Sequence, residues 1–271
     1  MTTYTAYGLV VQSDLALPFS LAPTGTTGQV TVRAGRFHVP RMKRDGPLSF
    51  RLDDEFWYFQ WPGEATYRMA TDEVVVMLDG DPAAAGERLS GQLMGLFLRR
   101  AGRIVLHGNV VSRHGLAICL LGATGMGKTT LTGALLATGW AFLSDDLCVL
   151  EEGTGGWSVQ PGPGRLKVRA GGPLKQLERV TPSASGATLK GIAVLEAGGP
   201  VVLEPLAGPE ALLELIRHAH MPRSLDVSGL ADAHLQRVGG LAGAIPIGRL
   251  RRGSTLTDLP QVVEILDRMI Q

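Results

Sequence analysis

Alternating apolar and polar residues mark the N-terminal part of the chain. Residues 30–33 (VTVR) are typical, because every second side chain is apolar, which is the period of a strand with one buried face. Similar runs recur at 49–52, 56–61, 65–70 and 73–78, separated by turn residues such as Pro62 and Gly63. The pattern predicts an antiparallel, β-rich region over residues 1–82.

The pattern changes near Pro82. Apolar residues then recur at a helical spacing, which predicts an amphipathic helix; they are Leu89, Leu93, Leu96 and Phe97. Two apolar runs follow, at 104–111 and 116–121, with a short turn between them. Because parallel neighbours need a long crossover connection, this short turn predicts a hairpin. We assign residues 83–271 to a second domain.

The most specific motif is G-x-x-x-x-G-K-T at residues 122–129, between the second of these strands and a run of helix formers. In this P-loop pattern, backbone N–H groups and a helix N-terminus surround phosphate. Lys128 is expected to reach the phosphates and Thr129 to bind Mg²⁺. The alternative is a chance match in a glycine-rich chain. The predicted nucleotide-binding residues are Gly122, Ala123, Thr124, Gly125, Met126, Gly127, Lys128, Thr129 and Thr130.

Two carboxylates, Asp145 and Asp146, interrupt an apolar run at 140–150. They would be costly in a buried strand unless they meet a cation or hydrogen-bond donors. Asp145 follows Lys128 by 17 positions (145 − 128), enough for one helix and a tight return to the P-loop. Successive strand residues face opposite sides, so both acids could face the loop only if a bulge turns them inward. The alternative is a solvated turn between short strands.

Further candidate contacts come from isolated polar residues. His107 lies in the strand before the hairpin turn, and it would approach the phosphate site if its side chain pointed that way. Arg165 and Lys167 alternate with apolar residues, and Arg217 ends a predicted helix, so each could contact phosphate or an acidic peptide. The same features also occur on ordinary solvated surfaces and at helix C-termini.

Composition argues against several classes of function. The net charge of +1 provides no overall field that would attract nucleic acid or a membrane surface. No apolar run approaches the roughly 18 residues of a membrane span, and the first residues lack the features of a signal peptide. Cys119 and Cys148 are predicted to be buried free thiols, as in a reducing compartment. We expect a cytoplasmic protein that binds neither nucleic acid nor membrane.

Taken together, these motifs resemble the HPr kinase/phosphorylase family. The shared residues, in the same order and spacing, lie at 106–111 (LHGNVV), 122–130 and 143–146 (LSDD). The chain resembles still more closely the small HPr-kinase-like proteins encoded with lasso peptide biosynthesis, through residues 7–9 and 245–250. The resemblance implies an α/β fold of mixed α+β character. Its P-loop core would be HPr kinase/PEP carboxykinase-like with a mixed sheet, next to an N-terminal region for substrate or partner binding.

The resemblance further implies an ATP-dependent kinase that uses Mg²⁺ and phosphorylates a serine of a peptide or protein. The acceptor would be the C-terminal serine of a lasso peptide precursor. Asp145 would be the general base, Asp146 would bind Mg²⁺ with Thr129, His107 would lie beside the acids, and Lys128 would neutralise the phosphates. The roles of the two acids could be exchanged.

Two departures from the family limit the resemblance. Thr129 stands where the family usually has serine, which is a conservative change. The downstream signature loop is absent from the sequence, which argues against HPr as substrate and removes support for a phosphorolysis activity. A nucleotide-gated scaffold with slow ATPase activity and a small-molecule kinase of related fold stay open as alternatives. The chain could also form a homo-oligomer.

Overall fold

The computed structural model describes residues 1–169, 175–183, 185–221, 229–253 and 255–271. The chain divides into two compact units, one containing residues 1–101 and the other residues 102–221 and 231–271. Compactness therefore groups the helices after Pro82 with the first unit, whereas the division into functional domains at residue 82 stays a prediction. Among the described helices, none combines the length and apolar character needed to cross a membrane.

The first unit is built on a nine-stranded sheet. Its strands are β1 (Thr2–Ala6), β2 (Leu9–Ser13), β3 (Ser20–Leu21), β4 (Val30–Ala34), β5 (Lys43–Asp45), β6 (Leu48–Leu52), β7 (Trp57–Trp61), β8 (Ala65–Met69) and β9 (Glu73–Leu78). Their order across the sheet is β3-β1-β2-β4-β9-β8-β7-β6-β5.

Strand β4 corrects the prediction of a purely antiparallel region. Strands β5 to β9 form the expected antiparallel meander, but β4 pairs in parallel with both β2 and β9. The long connections on both sides of β4 return the chain to the same end of the sheet, which parallel pairing requires. Alternation along a strand reveals its buried face but not the direction of its neighbours.

Two helices complete the first unit, α1 (Pro82–Arg88) and α2 (Met94–Arg100), joined by a π-helical turn at Leu89–Leu93. The Asp81 side chain accepts a hydrogen bond from the Ala83 N–H, which caps the N-terminus of α1. The predicted apolar stripe is confirmed, since its four members, Leu89, Leu93, Leu96 and Phe97, are all buried.

The second unit carries the P-loop motif on a mixed sheet. The strands of this unit are β10 (Ile104–Arg113), β11 (Leu116–Leu121), β12 (Ala141–Ser144), β13 (Leu147–Gly153), β14 (Gly156–Val159), β15 (Arg165–Arg169), β16 (Lys175–Arg179), β17 (Ala187–Glu196), β18 (Gly198–Leu206) and β19 (Ile247–Gly253). Strands β15 and β16 pair with each other in a separate two-stranded sheet, and the other eight strands form the mixed sheet. Its helices are α3 (Lys128–Ala137), α4 (Pro209–Arg217), α5 (Ala231–Ala244) and α6 (Leu259–Met269), with a 3₁₀ turn at Leu256–Asp258 before α6.

Strand β10 is the centre of this sheet. It forms the predicted antiparallel hairpin with β11 and also pairs with both β12 and β13. Strand β14 joins β13 to β17, and β17 pairs in parallel with β11, so that β10, β13, β14, β17 and β11 close a ring of pairings. Strand β19 extends the parallel part from β17.

The carboxyl ends of three parallel strands, β11, β17 and β19, therefore meet at one edge of the sheet. Leu121 lies opposite Val194, which in turn lies opposite Arg249. The glycine-rich motif leaves β11 at this edge and leads directly into helix α3.

Alternate residues of β11 enter two different cores. Cys119 and Leu121 pack in one core with residues of α4 and α5, whereas Ile118 and Leu120 pack in the other with residues of α3 and α6. Burial on both faces explains why β11 is apolar at every position.

The two cysteines, Cys119 and Cys148, are buried free thiols, as predicted. Burial raises the pKa of Cys148.

Gly108 provides a test of this packing. A Cβ at this position would lie 2.7 Å from the Leu120 carbonyl oxygen and 2.8 Å from Leu121 Cδ2. We expect Gly108→Ala to lower the free energy of unfolding by about 1–3 kcal/mol, measured by urea denaturation, because β10 and β11 must separate.

The matched control is Gly239→Ala on an exposed turn of α5, where a Cβ meets no atom within 4 Å. Alanine is the better helix former, so this variant should gain roughly 0.5–1 kcal/mol. A Gly108→Ala protein as stable as the wild type would contradict the close approach of the two strands.

Candidate active site

The P-loop motif folds into a turn that depends on its glycines. Gly122, Gly125 and Gly127 have φ of 148°, 92° and 86°, in the region that side-chain-bearing residues rarely adopt. Helix α3 begins immediately afterwards at Lys128. The loop is thus followed by the N-terminus of a helix, whose N–H groups and dipole favour an anion.

A cavity of about 550 Å³ lies against this loop. The predicted residues that line it are His107, Thr124, Gly125, Gly127, Lys128, Thr129, Thr130, Asp145, Asp146 and Lys167. Gly122, Ala123 and Met126 belong to the loop but not to the cavity wall, and Arg165 and Arg217 also lie outside the wall. The acid pair and the lysine-bearing loop, which lie apart in sequence, therefore share one space.

The backbone at Asp146 explains how both acids face this space. Strands β12 and β13 pair along β10, with Ser144 opposite Val110 and Leu147 opposite His107. Asp146, between these pairs, has a φ of 68° and sits in a turn closed by a hydrogen bond from Leu147 N to Asp145 O (2.9 Å). The register shift between β10 and β12 lies before the acids, between Phe142 and Ser144, so it is not the bulge that would turn both acids inward. The left-handed residue, rather than the bulge, gives both carboxylates access to the cavity.

Lys167 contacts each of the groups predicted to act on metal or acceptor. Its backbone N–H donates to Asp145 Oδ2 (2.7 Å), and its ammonium group pairs with Asp146 Oδ2. Its carbonyl oxygen accepts a hydrogen bond from the Thr129 hydroxyl (3.2 Å). One residue of β15 thus supplies the acids with a positive charge and a donor. The sequence marked Lys167 as a substrate contact, and that role stays a prediction.

The environment of Asp145 favours the protonated carboxyl. Burial raises the pKa of Asp145, and the neighbouring Asp146 charge raises it further. Hydrogen bonds from the backbone N–H groups of Lys167 and Asp146 partly offset this rise. A carboxyl with a raised pKa is suited to accepting a proton from a substrate.

Lys128 folds back onto its own loop. Its ammonium group donates to the carbonyl oxygens of Gly122 (2.5 Å) and Ala123 (3.4 Å).

His218 lies at the end of α4. Burial lowers the pKa of His218, and the charges of Lys128 and His107 lower it further, although Glu214 acts in the opposite direction. The backbone N–H of His107 donates to the backbone carbonyl oxygen of His218 (2.7 Å), and this bond attaches the end of α4 to β10 beside the site.

Arg217 lies apart from these groups. Its side chain is 58% exposed and pairs with Glu214 (3.1 Å), which also pairs with Arg249 of β19 (3.3 Å). Neither Arg217 nor Arg165 lines the cavity. A substrate contact at either residue therefore stays a prediction without support from the geometry.

Arg252 is a wall residue that the sequence analysis did not select. Its Nε donates to the Met126 carbonyl oxygen (2.7 Å), and its guanidinium group lies against Gly127. In the sequence, Arg252 belongs to a group of arginines at the end of β19. That group could be assigned to the P-loop only from the strand order, which brings the ends of β19 and β11 to one edge of the sheet. Leu256 and Leu259 add apolar surface. Charged and apolar groups in one wall suit a ligand such as a nucleotide.

The oxygen atoms of the site fit a magnesium ion. The Thr129 hydroxyl and the two carboxylates are hard oxygen ligands, and the Asn109 Oδ1 atom is buried with no hydrogen-bond partner among the described residues. Within the described part of the chain, no group of three or more His, Cys, Asp or Glu residues is arranged to hold a metal. Mg²⁺ would therefore take its other ligands from phosphate and water, as it commonly does.

Asp145 gives the site a measurable pH dependence. Because its pKa in the folded protein is raised above the ordinary 3.8, the folded protein binds this proton more tightly than the unfolded chain. Folded-state stability should therefore fall as pH rises from about 3.8 through the raised pKa. We expect the stability of Asp145→Asn relative to wild type to increase over this window and then to level off, in urea denaturation without nucleotide or metal. A stability difference independent of pH would contradict the raised pKa.

The chain was compared with known families, curated proteins and solved structures. No protein-family model and no curated protein matches the chain. Among solved structures, it is similar to the Hpr(Ser) kinase/phosphatase from Coxiella burnetii, with 10% sequence identity over 60% of this chain and 88% of that chain and a TM-score of 0.39. The function of this chain therefore has to be inferred from its own residues.

Proposed function

We propose that the protein is an ATP-dependent kinase that transfers the γ-phosphoryl group to a serine hydroxyl of a peptide or protein. One observation carries the proposal: Asp145 and Asp146 line the same cavity as Lys128 and Thr129 of the P-loop. Phosphate binding needs only the loop and the helix N-terminus. Two additional carboxylates at that point suit a reaction that also needs a metal ligand and a base.

The phosphate side of the site is positively charged. The P-loop amides, Lys128 and Arg252 would neutralise the phosphates and hold the γ-phosphorus in line with the acceptor. Thr129 and Asp146 would hold Mg²⁺, which supplies further charge neutralisation at the phosphate oxygens. These ligands are at present bonded to Lys167, so that residue would have to move when metal and nucleotide bind.

The chemical step requires one proton acceptor. The serine Oγ attacks the γ-phosphorus, the bond from phosphorus to the β–γ bridging oxygen breaks, and ADP leaves with the bond electrons. Asp145 takes the hydroxyl proton, for which its raised pKa is suited. His107, on the adjacent strand, would adjust the charge around the acids.

The identity of the acceptor is the finer part of the proposal. The resemblance to kinases of lasso peptide biosynthesis supports the C-terminal serine of a precursor peptide as the substrate. The β-rich first unit would then bind the substrate or a partner. The two buried free thiols support a reducing compartment such as the cytoplasm.

The direct test is transfer of labelled phosphate from ATP, with Mg²⁺, to a short co-encoded peptide with a C-terminal serine. We expect phosphoserine in the wild-type reaction. Lys128→Ala should abolish transfer because the phosphates lose their main side-chain cation, and Asp145→Asn should lower kcat by about 10²–10⁴-fold because the base is lost. Mass spectrometry of the peptide identifies the modified residue.

The matched control is Lys190→Ala, which removes an exposed lysine of β17 away from the cavity and should leave transfer unchanged. Unfolding temperatures of all variants separate loss of activity from loss of fold. Near-wild-type turnover by Asp145→Asn would refute its role as base. Release of free phosphate without peptide labelling would indicate an ATPase scaffold, and labelling of small acceptors alone would indicate a small-molecule kinase.

A further inference from the structure

Asn109 is the only asparagine among the 271 residues of the chain. It lies on β10, is 1% exposed, and lines the cavity beside the P-loop. The single asparagine of the chain is therefore a buried residue of the candidate active site. We therefore asked which contact this side chain makes.

Only half of the Asn109 amide is bonded within the protein. Its Nδ2 atom donates to the hydroxyl of Thr132 on α3 (3.0 Å), which fixes the side chain between β10 and α3. Its Oδ1 atom is buried and accepts no hydrogen bond from any described residue. A buried acceptor without a hydrogen bond destabilises the folded state, so an apolar side chain would suit a purely structural role at this position better.

Strand and helix periodicity place the Asn109 side chain beside the proposed metal ligands. Asn109 and His107 are two residues apart on β10 and so face the same side of the sheet. Thr132 follows Thr129 by three positions on α3, so these hydroxyls lie on one face of the helix. On the neighbouring strands, Ser144 of β12 pairs with Val110 and Leu147 of β13 pairs with His107. Asp145 and Asp146 therefore lie opposite the stretch of β10 that contains Asn109.

We propose that Asn109 Oδ1 accepts a hydrogen bond from a water molecule bound to the Mg²⁺ ion of the site. The inference rests on the proposed function, since Thr129 and Asp146 are the metal ligands there. An amide oxygen can only accept, and Mg²⁺ retains several water ligands that must donate. Asn109 is thus a positioning residue, which orients a ligand of the metal without touching the metal or the phosphates.

The test measures metal affinity without catalysis. Mn²⁺ serves as a paramagnetic substitute for Mg²⁺, and its binding to the protein in the presence of ADP is followed by electron paramagnetic resonance. We expect Asn109→Ala to weaken Mn²⁺ binding by about 10-fold or more, as is typical when a partner of a metal ligand is removed. Binding of ADP in EDTA should remain at the wild-type level, because the phosphate contacts of the loop are unchanged.

Asn109→Asp keeps the side-chain shape and an acceptor oxygen, so it should recover metal binding relative to Asn109→Ala. Thr132→Val keeps the asparagine but removes the hydroxyl that fixes its amide, and it should weaken metal binding in the same direction. Wild-type Mn²⁺ affinity in Asn109→Ala would overturn the inference, as would a wild-type protein that binds ADP but no metal. Normal metal binding without phosphorylation of any peptide would instead overturn the proposed kinase function and leave this inference standing.

Discussion

The site depends on the balance of charge around two adjacent carboxylates. Burial raises the pKa of Asp145, and repulsion from the neighbouring charge of Asp146 raises it further. The ammonium and backbone N–H of Lys167, together with the nearby N-terminus of α3, provide the opposing potential. Without these partners, two adjacent acids between two buried strands would destabilise the fold, and the surrounding elements supply the partners.

Strand β10 provides that organisation. Because it pairs with β11 on one side and with β12 and β13 on the other, it holds the P-loop and the acids on neighbouring strands. The two stretches flank one strand, so their separation is set by the sheet and not by a flexible loop. His107 and Asn109 lie on β10 itself, which explains why a single strand contributes two residues to the cavity wall.

The parts of this arrangement that follow from local patterns could be predicted from the sequence. The glycine spacing predicts a tight loop, and the three left-handed glycines of that loop agree with it. The short turn at residues 113–115 predicts the β10–β11 hairpin, and the 17 positions between Lys128 and Asp145 (145 − 128) allow the acids to return beside the loop.

Contacts that depend on strand order were beyond the sequence. The parallel neighbours of β4, the contact of Arg252 with the P-loop and the three bonds of Lys167 all join segments far apart in the chain. No periodicity within one segment specifies its neighbours. Asn109 gave a different kind of signal, since its uniqueness is visible in the composition but its unpaired oxygen requires coordinates.

Lys167 connects the charge balance to function. In the structure its ammonium group pairs with a carboxylate that would otherwise hold Mg²⁺, and its carbonyl oxygen holds the hydroxyl of the other proposed metal ligand. A divalent ion that arrives with a nucleotide brings more positive charge than one ammonium group, so it can replace that group at Asp146 without exposing the acids to their mutual repulsion. The displaced ammonium would stay near the phosphates, since β15 is also bonded to Asp145 through the backbone. Under the proposed function, the same lysine would stabilise the acids in the absence of metal and would contribute positive charge during phosphoryl transfer.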